Sequence, residues 1–309
     1  MNSTNPVVSI IIVSYNVETF LMNCIESLKR KPSYVPVEII VVDNSSTDYS
    51  VRKLQQKFPE IPIIQSESNI GFAAANNLGA SYAKGQYLFL LNPDTVVEEG
   101  AIDELYNFLT SKPSAGAAGS YLKNPDDTFQ ISCYPFPTLF RELWRLLHLD
   151  SIIPFGSYPQ HKWDTKSPHK CDVVQGTSLM IKRNVWNALK GLDENFFIYS
   201  EEVDFCYRLV KAGFENYWVP TSRVIHYGGQ STSQYAREMF LQLYRAKIQY
   251  FKKHHGNFVT FIYKTILLIA SLLRLFLSPL VSWINPDAKI QQRQIQENYK
   301  YLVASLSHL

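Results

Sequence analysis

Three carboxylates fall within four positions at Glu201, Glu202 and Asp204. Crowded like charges raise the pKa of at least one member, and a general base is poised in this way. The aromatic residues Phe196, Phe197 and Tyr199 stand just before them. The same residues also suit a plain helix start, with Ser200 as N-cap and both glutamates in a first turn whose dipole favours anions. A fourth carboxylate, Asp94, follows the apolar run Tyr87-Leu88-Phe89-Leu90-Leu91 through Asn92-Pro93. A carboxylate there can hold a divalent cation through hard oxygen ligands, or Asn-Pro-Asp-Thr can be a turn in which Asp94 caps the next helix. His226, before Tyr227-Gly228-Gly229, has the chemistry of a second ligand, although a lone histidine is more often a packed or surface residue.

These groups need elements that bring them together. Tyr87–Leu91 is short and wholly apolar, as in a strand buried on both faces, and Pro93 cannot continue a central strand. Residues 7–13 and 37–42 read the same way, and residues 61–64 form a third, weaker run. Helical spacing or composition marks residues 17–31, 50–58, 71–83 and 100–111 between and after them. Alternating strands and helices predict an α/β fold with a parallel, doubly wound sheet. The strand ends then present Asn16, Asp43, Asn69 and Asp94 along one edge, where open sheets bind ligands. No Gly-x-Gly-x-x-Gly follows the first strand, where Ser14-Tyr15-Asn16-Val17 stands instead, and there is no Walker-type loop.

Seven prolines from Pro113 to Pro168 break the pattern over residues 112–170, which reads as loops and short elements suited to specificity. Residues 171–181 are extended but interrupted by Gly176, a sign of close approach by backbone or ligand. Residues 222–226 form a short strand ending at His226.

The composition bounds the reading. The 309 residues are 46% hydrophobic and 18% charged, enough for a sizeable core and against disorder. A net charge of +3, with no basic stripe among aromatics in the first half, gives no reason to expect nucleic acid. The four cysteines are widely separated and suit a reducing compartment better than disulfides or zinc. Residues 1–13 lack the pattern of a secretory leader, so the expected place of the N-terminal part is the cytoplasm.

In this order, several motifs resemble the family-2 glycosyltransferases of the GT-A fold, in their rhamnosyltransferase-like branch. They are Val8-Ser9-Ile10-Ile11-Ile12-Val13-Ser14-Tyr15-Asn16, Val41-Val42-Asp43-Asn44-Ser45-Ser46-Thr47-Asp48, Asn69-Ile70-Gly71-Phe72, Leu91-Asn92-Pro93-Asp94-Thr95, Gly176-Thr177-Ser178, residues 196–208 and His226-Tyr227-Gly228-Gly229. The resemblance covers roughly residues 7–231. It implies a nucleotide-diphosphate sugar donor, with Asp43 on the pyrimidine base. The donor site would be built from Ser14, Tyr15, Asn16, Asp43, Asn44, Asn69, Gly71, Phe72, Asn77, Asn92, Asp94 and Gly176. Asp94 would hold Mg2+ or Mn2+ on the diphosphate, with His226 as second ligand. Glu202 stands where the family places its catalytic base, and Asp204 with Arg208 would organise that helix and the acceptor side.

Two departures stand out. The family's Asp-x-Asp is Asn92-Pro93-Asp94 here, leaving fewer carboxylates for the metal. The base position holds glutamate instead of the usual aspartate, and Glu201 beside it is a second candidate. The implied reaction is inverting transfer of a sugar, rhamnose for this branch, to a lipid-linked or surface-glycan acceptor. A uridine-diphosphate sugar is equally compatible with the residues. A catalytically inactive scaffold of the same fold is the alternative. A sugar nucleotidyltransferase would need an early glycine-rich loop with a basic residue, which is not evident.

The domains expected are residues 1–234, catalytic, and 235–309, helical and membrane-associating. Residues 235–255 read as a helix that becomes basic. Residues 265–284 are nearly all apolar and long enough to span a bilayer. Lys264, Ser271, Arg274, Ser278, Ser282 and Asn285 make one polar stripe, and Pro279 interrupts the second half. Attachment in the membrane plane at the cytoplasmic face is the favoured expectation, beside a span or a docked core helix.

Overall fold

The computed structural model describes residues 6–30, 32–153, 155–231, 233–284 and 289–309. The chain divides into two compact units, Met1–Phe136 with Pro159–Gln234, and Pro137–Tyr158 with Tyr235–Leu309. Residues 137–158, left with the catalytic part by the sequence pattern, thus belong with the C-terminal helices.

The first unit opens with alternating elements: β1 (Val8–Ser14), α1 (Glu18–Arg30), β2 (Val37–Asp43), α2 (Ser50–Lys57), β3 (Ile63–Gln65), α3 (Phe72–Tyr82) and β4 (Tyr87–Leu91). Their strands lie in the order β3-β2-β1-β4, all parallel. Ile10, Ile12, Val41, Phe89 and Leu91 pack with Leu21 and Ile25 of α1 in the main core. Each such side chain contributes about 1.5–3 kcal/mol by leaving water. Ser14 pairs in register with Asp43, so β1 and β2 end level, while Leu91 pairs with Ile12, so β4 stops short of them.

The rest of the sheet departs from the parallel expectation. After β5 (Thr95–Val97) and α4 (Ala101–Ser111) come β6 (Ala115–Lys123), β7 (Phe129–Gln130) and β8 (Cys133–Tyr134). Helix α5 (Leu139–Leu146) of the second unit intervenes before β9 (His169–Cys171), β10 (Val173–Val174), β11 (Ser178–Lys182), α6 (Arg183–Leu189), α7 (Glu201–Lys211) and β12 (Glu215–His226). Strand β11 runs antiparallel between β4 and β6, with Ser178 opposite Leu91. Its reversed direction brings Gly176 and Thr177 to the carboxyl end of β4, where Asn92 N donates to Thr177 O at 3.0 Å. Strand β12 pairs antiparallel with β5, placing His226 opposite Thr95 and beside Asp94. The register of β12 on β6 shifts between Val219 and Arg223, around Pro220, which cannot donate to a ladder.

Strand β6 is rich in alanine and glycine because its neighbours press close. A Cβ on Gly119 would stand 2.0 Å from Val174 Cγ1 and 3.0 Å from Ser178 O. The buried hydroxyls of Ser178, Ser120 and Ser222 bond in a row at 2.7 Å each, and Ser222 donates to Ala101 O of α4 at 2.8 Å.

In the second unit, α8 (Ala236–Ile284) is a run of helix broken at Gly256 (φ 80°), followed by α9 (Lys289–Ser305). Glu142 of α5 is buried and accepts from Lys247 Nζ at 2.7 Å, with Tyr263 Oη at 3.5 Å. Beyond Gly256, the inward face carries Thr260, Tyr263, Leu267, Ala270 and Ser271, while Phe258, Phe261, Ile269, Leu272 and Phe276 are exposed. Of the polar stripe, Ser271 and Arg274 turn towards neighbouring helix groups. Ser271 is fully buried and donates to Leu267 O, and Arg274 donates to Tyr299 Oη of α9. Ser278, Ser282, Asn285 and Pro279 lie outside the described side chains. Among the described residues one helix, Ala236–Leu277, is long and apolar enough to cross a membrane.

Candidate donor and catalytic site

The carboxyl ends of the parallel strands create the candidate site. Asp43, at the end of β2, accepts from Ser46 N on Oδ2 at 3.2 Å, while its buried Oδ1 has no partner among the described residues. Ser14 Oγ and Asn92 Oδ1 on the same edge are buried and equally unsatisfied. Leaving a buried polar atom unpaired costs about 1–3 kcal/mol, so such a group calls for an explanation. A row of them at a ligand-binding edge is explained by a ligand that supplies the missing bonds. Tyr15 is half-buried beside them.

The asparagines of the edge also bond within the protein. Asn16, at φ 51°, accepts from Thr47 N on Oδ1 at 2.7 Å and donates from its own N–H to Ser46 Oγ at 3.0 Å. Asn44 donates from Nδ2 to Asn69 Oδ1 at 2.8 Å and accepts from Ile70 N at 2.9 Å; Asn69 Oδ1 also accepts from Gly71 N at 3.1 Å. Asn77 grips the loop before α7 through Leu192 O, Leu192 N and Glu194. These side chains shape the loops around the edge with bonds already made. Gly71 is needed as glycine, with φ +86° and a Cβ that would meet Phe197 O at 2.5 Å. Phe72 N donates to that same carbonyl at 2.6 Å, which joins the loop over β2 to the approach of α7.

Tyr199 and Ser200, at φ 68° and 65°, turn the chain into α7. Ser200 stands at the N-cap position but makes no side-chain cap bond, because its left-handed backbone is not the extended form a serine cap uses. Asp204 is fully buried and accepts from Arg208 Nε at 2.7 Å. Arg208 also donates to Leu189 O and Gly191 O, so this ion pair fastens α7 to the turn after α6. That leaves the two glutamates for chemistry. Both are buried. Glu202 Oε1 accepts from Tyr134 Oη, while Glu202 Oε2 and Glu201 Oε2 have no partner among the described residues. A Cβ on Gly176 would lie 3.7 Å from Glu202 Cβ and 4.0 Å from Glu201 Oε1, so the glycine keeps the approach to both carboxylates low.

Burial pushes both carboxyls up. Glu201 rises well above the usual carboxylate range by desolvation and then by the charge of Glu202. Glu202 rises by desolvation, opposed by the Tyr134 hydroxyl and nearby backbone amides. The two carboxyls titrate as a pair, and the Tyr134 bond favours the ionised form of Glu202.

Asp94 does not cap a helix: β5 follows at once, and the N-cap of α4 is Gly100. Asp94 Oδ1 lies 3.4 Å from His226 Nε2, which is buried without a hydrogen-bond partner. Gln130 Oε1 faces His226 Nδ1 at 2.8 Å. The proton of a neutral imidazole belongs on that nitrogen, and Nε2 then aims a lone pair towards the carboxylate. Two acceptors facing each other suit a cation between them, and 3.4 Å matches two neighbouring ligands with bonds of about 2.1 Å. Among the described residues no cluster of three or more ligating side chains surrounds this point. A hard ion would fill its other positions with water and substrate oxygens. Gln130 and Tyr134 are the contributors that the sequence pattern does not reveal; both lie in two-residue strands with no periodicity to read.

The sheet with its site defines a class. The chain belongs to the family described as Glycosyl transferase family 2, whose model matches residues 9–185. Among curated relatives, it is 27% identical over 247 residues to an N-acetylglucosaminyl-diphospho-decaprenol L-rhamnosyltransferase of Mycobacterium tuberculosis, across 74% of this chain and 78% of that one. It is 25% identical over 254 residues to the rhamnosyltransferase WbbL of Escherichia coli, across 75% and 88% of the two chains. Its fold matches a Pyrobaculum calidifontis mannosyltransferase solved with GDP-Man and Mn2+, with a TM-score of 0.59 at 16% identity over 98% of this chain and 86% of that one. It also matches GalNAc-T7 solved with UDP, GalNAc and Mn2+, with a TM-score of 0.57 at 17% identity, over 79% of this chain and 48% of that one. The fold is thus GT-A, and the protein is a nucleotide-sugar glycosyltransferase.

Proposed function

We propose that the protein transfers a sugar, rhamnose by its relatives, from a nucleoside-diphosphate donor to a hydroxyl of a lipid-linked or surface-glycan acceptor, with inversion. The observation that carries this reading is the set of unsatisfied buried atoms on one edge: Asp43 Oδ1, Asn92 Oδ1, Glu202 Oε2 and His226 Nε2. Asp43 Oδ1 accepts the imide N–H of a uracil or thymine base. Asp94 and His226 hold Mg2+ or Mn2+, which when bound neutralises charge developing on the departing diphosphate. Glu202 Oε2 takes the proton of the acceptor hydroxyl. The acceptor oxygen bonds to the anomeric carbon, the carbon–diphosphate bond breaks, and its electron pair leaves on the diphosphate oxygen. One base and one in-line displacement invert the anomeric centre.

Residues 1–234 and 235–309 form the catalytic and membrane-associating parts in this reading, with residues 137–158 joining the latter. The exposed apolar row from Phe258 to Phe276 supports docking on the cytoplasmic face of the membrane. The full chain should then sediment with vesicles containing phosphatidylglycerol. Replacing Phe258, Phe261 and Phe276 by serine should reduce the bound fraction several-fold, and unchanged binding by the triple variant would contradict this placement.

The reaction itself is tested by incubating the protein with dTDP- and UDP-sugars, Mn2+ and a lipid-linked disaccharide or monosaccharide series. Product whose glycosidic linkage is opposite in configuration to the donor supports the reading. A retained configuration would sink the single-displacement mechanism.

A further inference from the structure

Tyr134 comes from the proline-rich stretch in which no role is legible, yet its hydroxyl reaches the centre of the site. It lies in β8, paired antiparallel with β10 so that Tyr134 stands opposite Val173. Both sides of this two-residue strand are fastened. On one side Ser132 N donates to Gln160 Oε1 at 3.2 Å, and Gln160 Nε2 donates to Cys133 Sγ. On the other, Phe136 N donates to Asp172 Oδ2 at 2.9 Å, and the Phe136 ring meets Tyr207 of α7 at 5.2 Å. The Tyr134 side chain therefore approaches Glu202 from a rigid support, and its hydroxyl donates to Oε1.

We propose that Tyr134 is the positioning residue that makes Glu202, and not Glu201, the base: it fixes Oε1 and leaves Oε2 to the acceptor hydroxyl. The inference rests on the glycosyl-transfer reading for the base's role, though not for the bond itself. Glu201 has no comparable donor, since its Oε2 is unpartnered. Without the tyrosine hydroxyl only backbone amides favour the ionised form of Glu202, and the difference between the two buried carboxyls narrows. The proton can then divide between the two, and the ionised carboxylate is no longer confined to Glu202 with Oε2 turned to the acceptor. The titratable groups facing Glu202 are few: Tyr134 from β8, Glu201 beside it, and Cys206 one turn along α7. Strand β10 brings only Val173 and Val174, and Asp204 is engaged by Arg208. Tyr134 itself is held protonated, first by burial and then by the charge of Glu202, and so remains a donor.

The test is Tyr134→Phe in the full chain, read in two ways. In turnover with donor and acceptor, kcat should fall about 10²-fold with donor KM changed less than about twofold. The acid limb of the kcat profile should move to higher pH, because a bond that favours the ionised carboxyl is gone. Independently of any reaction, a ¹³C-carboxyl NMR titration of labelled glutamate should show Glu202 losing its proton at higher pH than in wild type. Incorporation of 3-fluorotyrosine at position 134 keeps the donor and should restore turnover to near the wild-type rate. A Tyr134→Phe protein that melts like wild type, with kcat, acid limb and Glu202 titration all unmoved, would overturn the proposal. So would a 3-fluorotyrosine protein as impaired as the phenylalanine one. If wild type itself transfers no sugar while the NMR shift appears, the function is wrong and the Tyr134 bond is right.

Discussion

Glu202→Gln should lower kcat by about 10²–10⁴-fold while donor affinity stays within about twofold. The amide keeps the size of the carboxylate and can still accept from Tyr134 through its oxygen. What it cannot do is take a proton at the position of Oε2. The loss therefore belongs to the chemical step, and a fall in donor affinity of similar size would place Glu202 on the donor instead. Stability gives a control. A carboxyl whose folded pKa is raised contributes stability that is fully present below its unfolded pKa and is lost as pH rises through the folded pKa. Both Glu201 and Glu202 are raised, so at neutral pH the wild type has lost part of that contribution. Glu202→Gln removes a charge from beside Glu201, and the variant should melt no lower than wild type at pH 7. A lower melting temperature would mean that the inactive variant is misfolded.

Asp94→Ala should abolish the Mn2+ dependence of donor binding and weaken it by at least about 100-fold, a loss exceeding that from second-shell changes at metal sites. The argument is the small number of ligands. His226 and Asp94 face each other, with Gln130 on the far side of the imidazole. The family's other carboxylate is replaced by Asn92, so nothing nearby in the sequence compensates. Removing Asp94 leaves His226 alone against a hard cation that prefers oxygen. Fold stability should change little, since the main-chain bond from Tyr227 N to Asp94 O at 3.0 Å survives and the bond lost, from Gln230 N to Asp94 Oδ2, is long at 3.5 Å. Donor binding that stays Mn2+-dependent in this variant would move the metal elsewhere.

The parallel half of the sheet was legible because β1, β2 and β4 are apolar runs that stop abruptly at polar residues. Those stops carry the candidate site: Ser14 and Asp43 stand level because their strands are parallel and in register, and Asn92 follows the end of the neighbouring β4. The antiparallel insertion of β11 was not legible, since direction leaves no trace in an apolar run flanked by loops. Strand β6 escaped because alanine and glycine replace β-branched residues where Val174 presses on Gly119. Ser200 was read as a side-chain cap from its type alone, and its positive φ removes that role. Asn44, Asn69 and Asn77 bond to the loops around the edge, and residue type does not show which bonds are made within the protein. In the tail, spacing revealed the polar stripe but not its direction. Arg274 turns inwards because Tyr299 of α9 lies there, and that partner is 25 residues away in sequence.

Titration calorimetry of the purified chain with UDP, dTDP and GDP, with and without Mn2+, bears most directly on the central claim that this edge binds a nucleotide diphosphate through Asp43 and a metal at Asp94. The account predicts saturable binding of the pyrimidine diphosphates that requires Mn2+, with GDP clearly weaker because a guanine does not present the same imide group to Asp43. A well-folded protein that binds none of the three, or binds all equally without the metal, would contradict it.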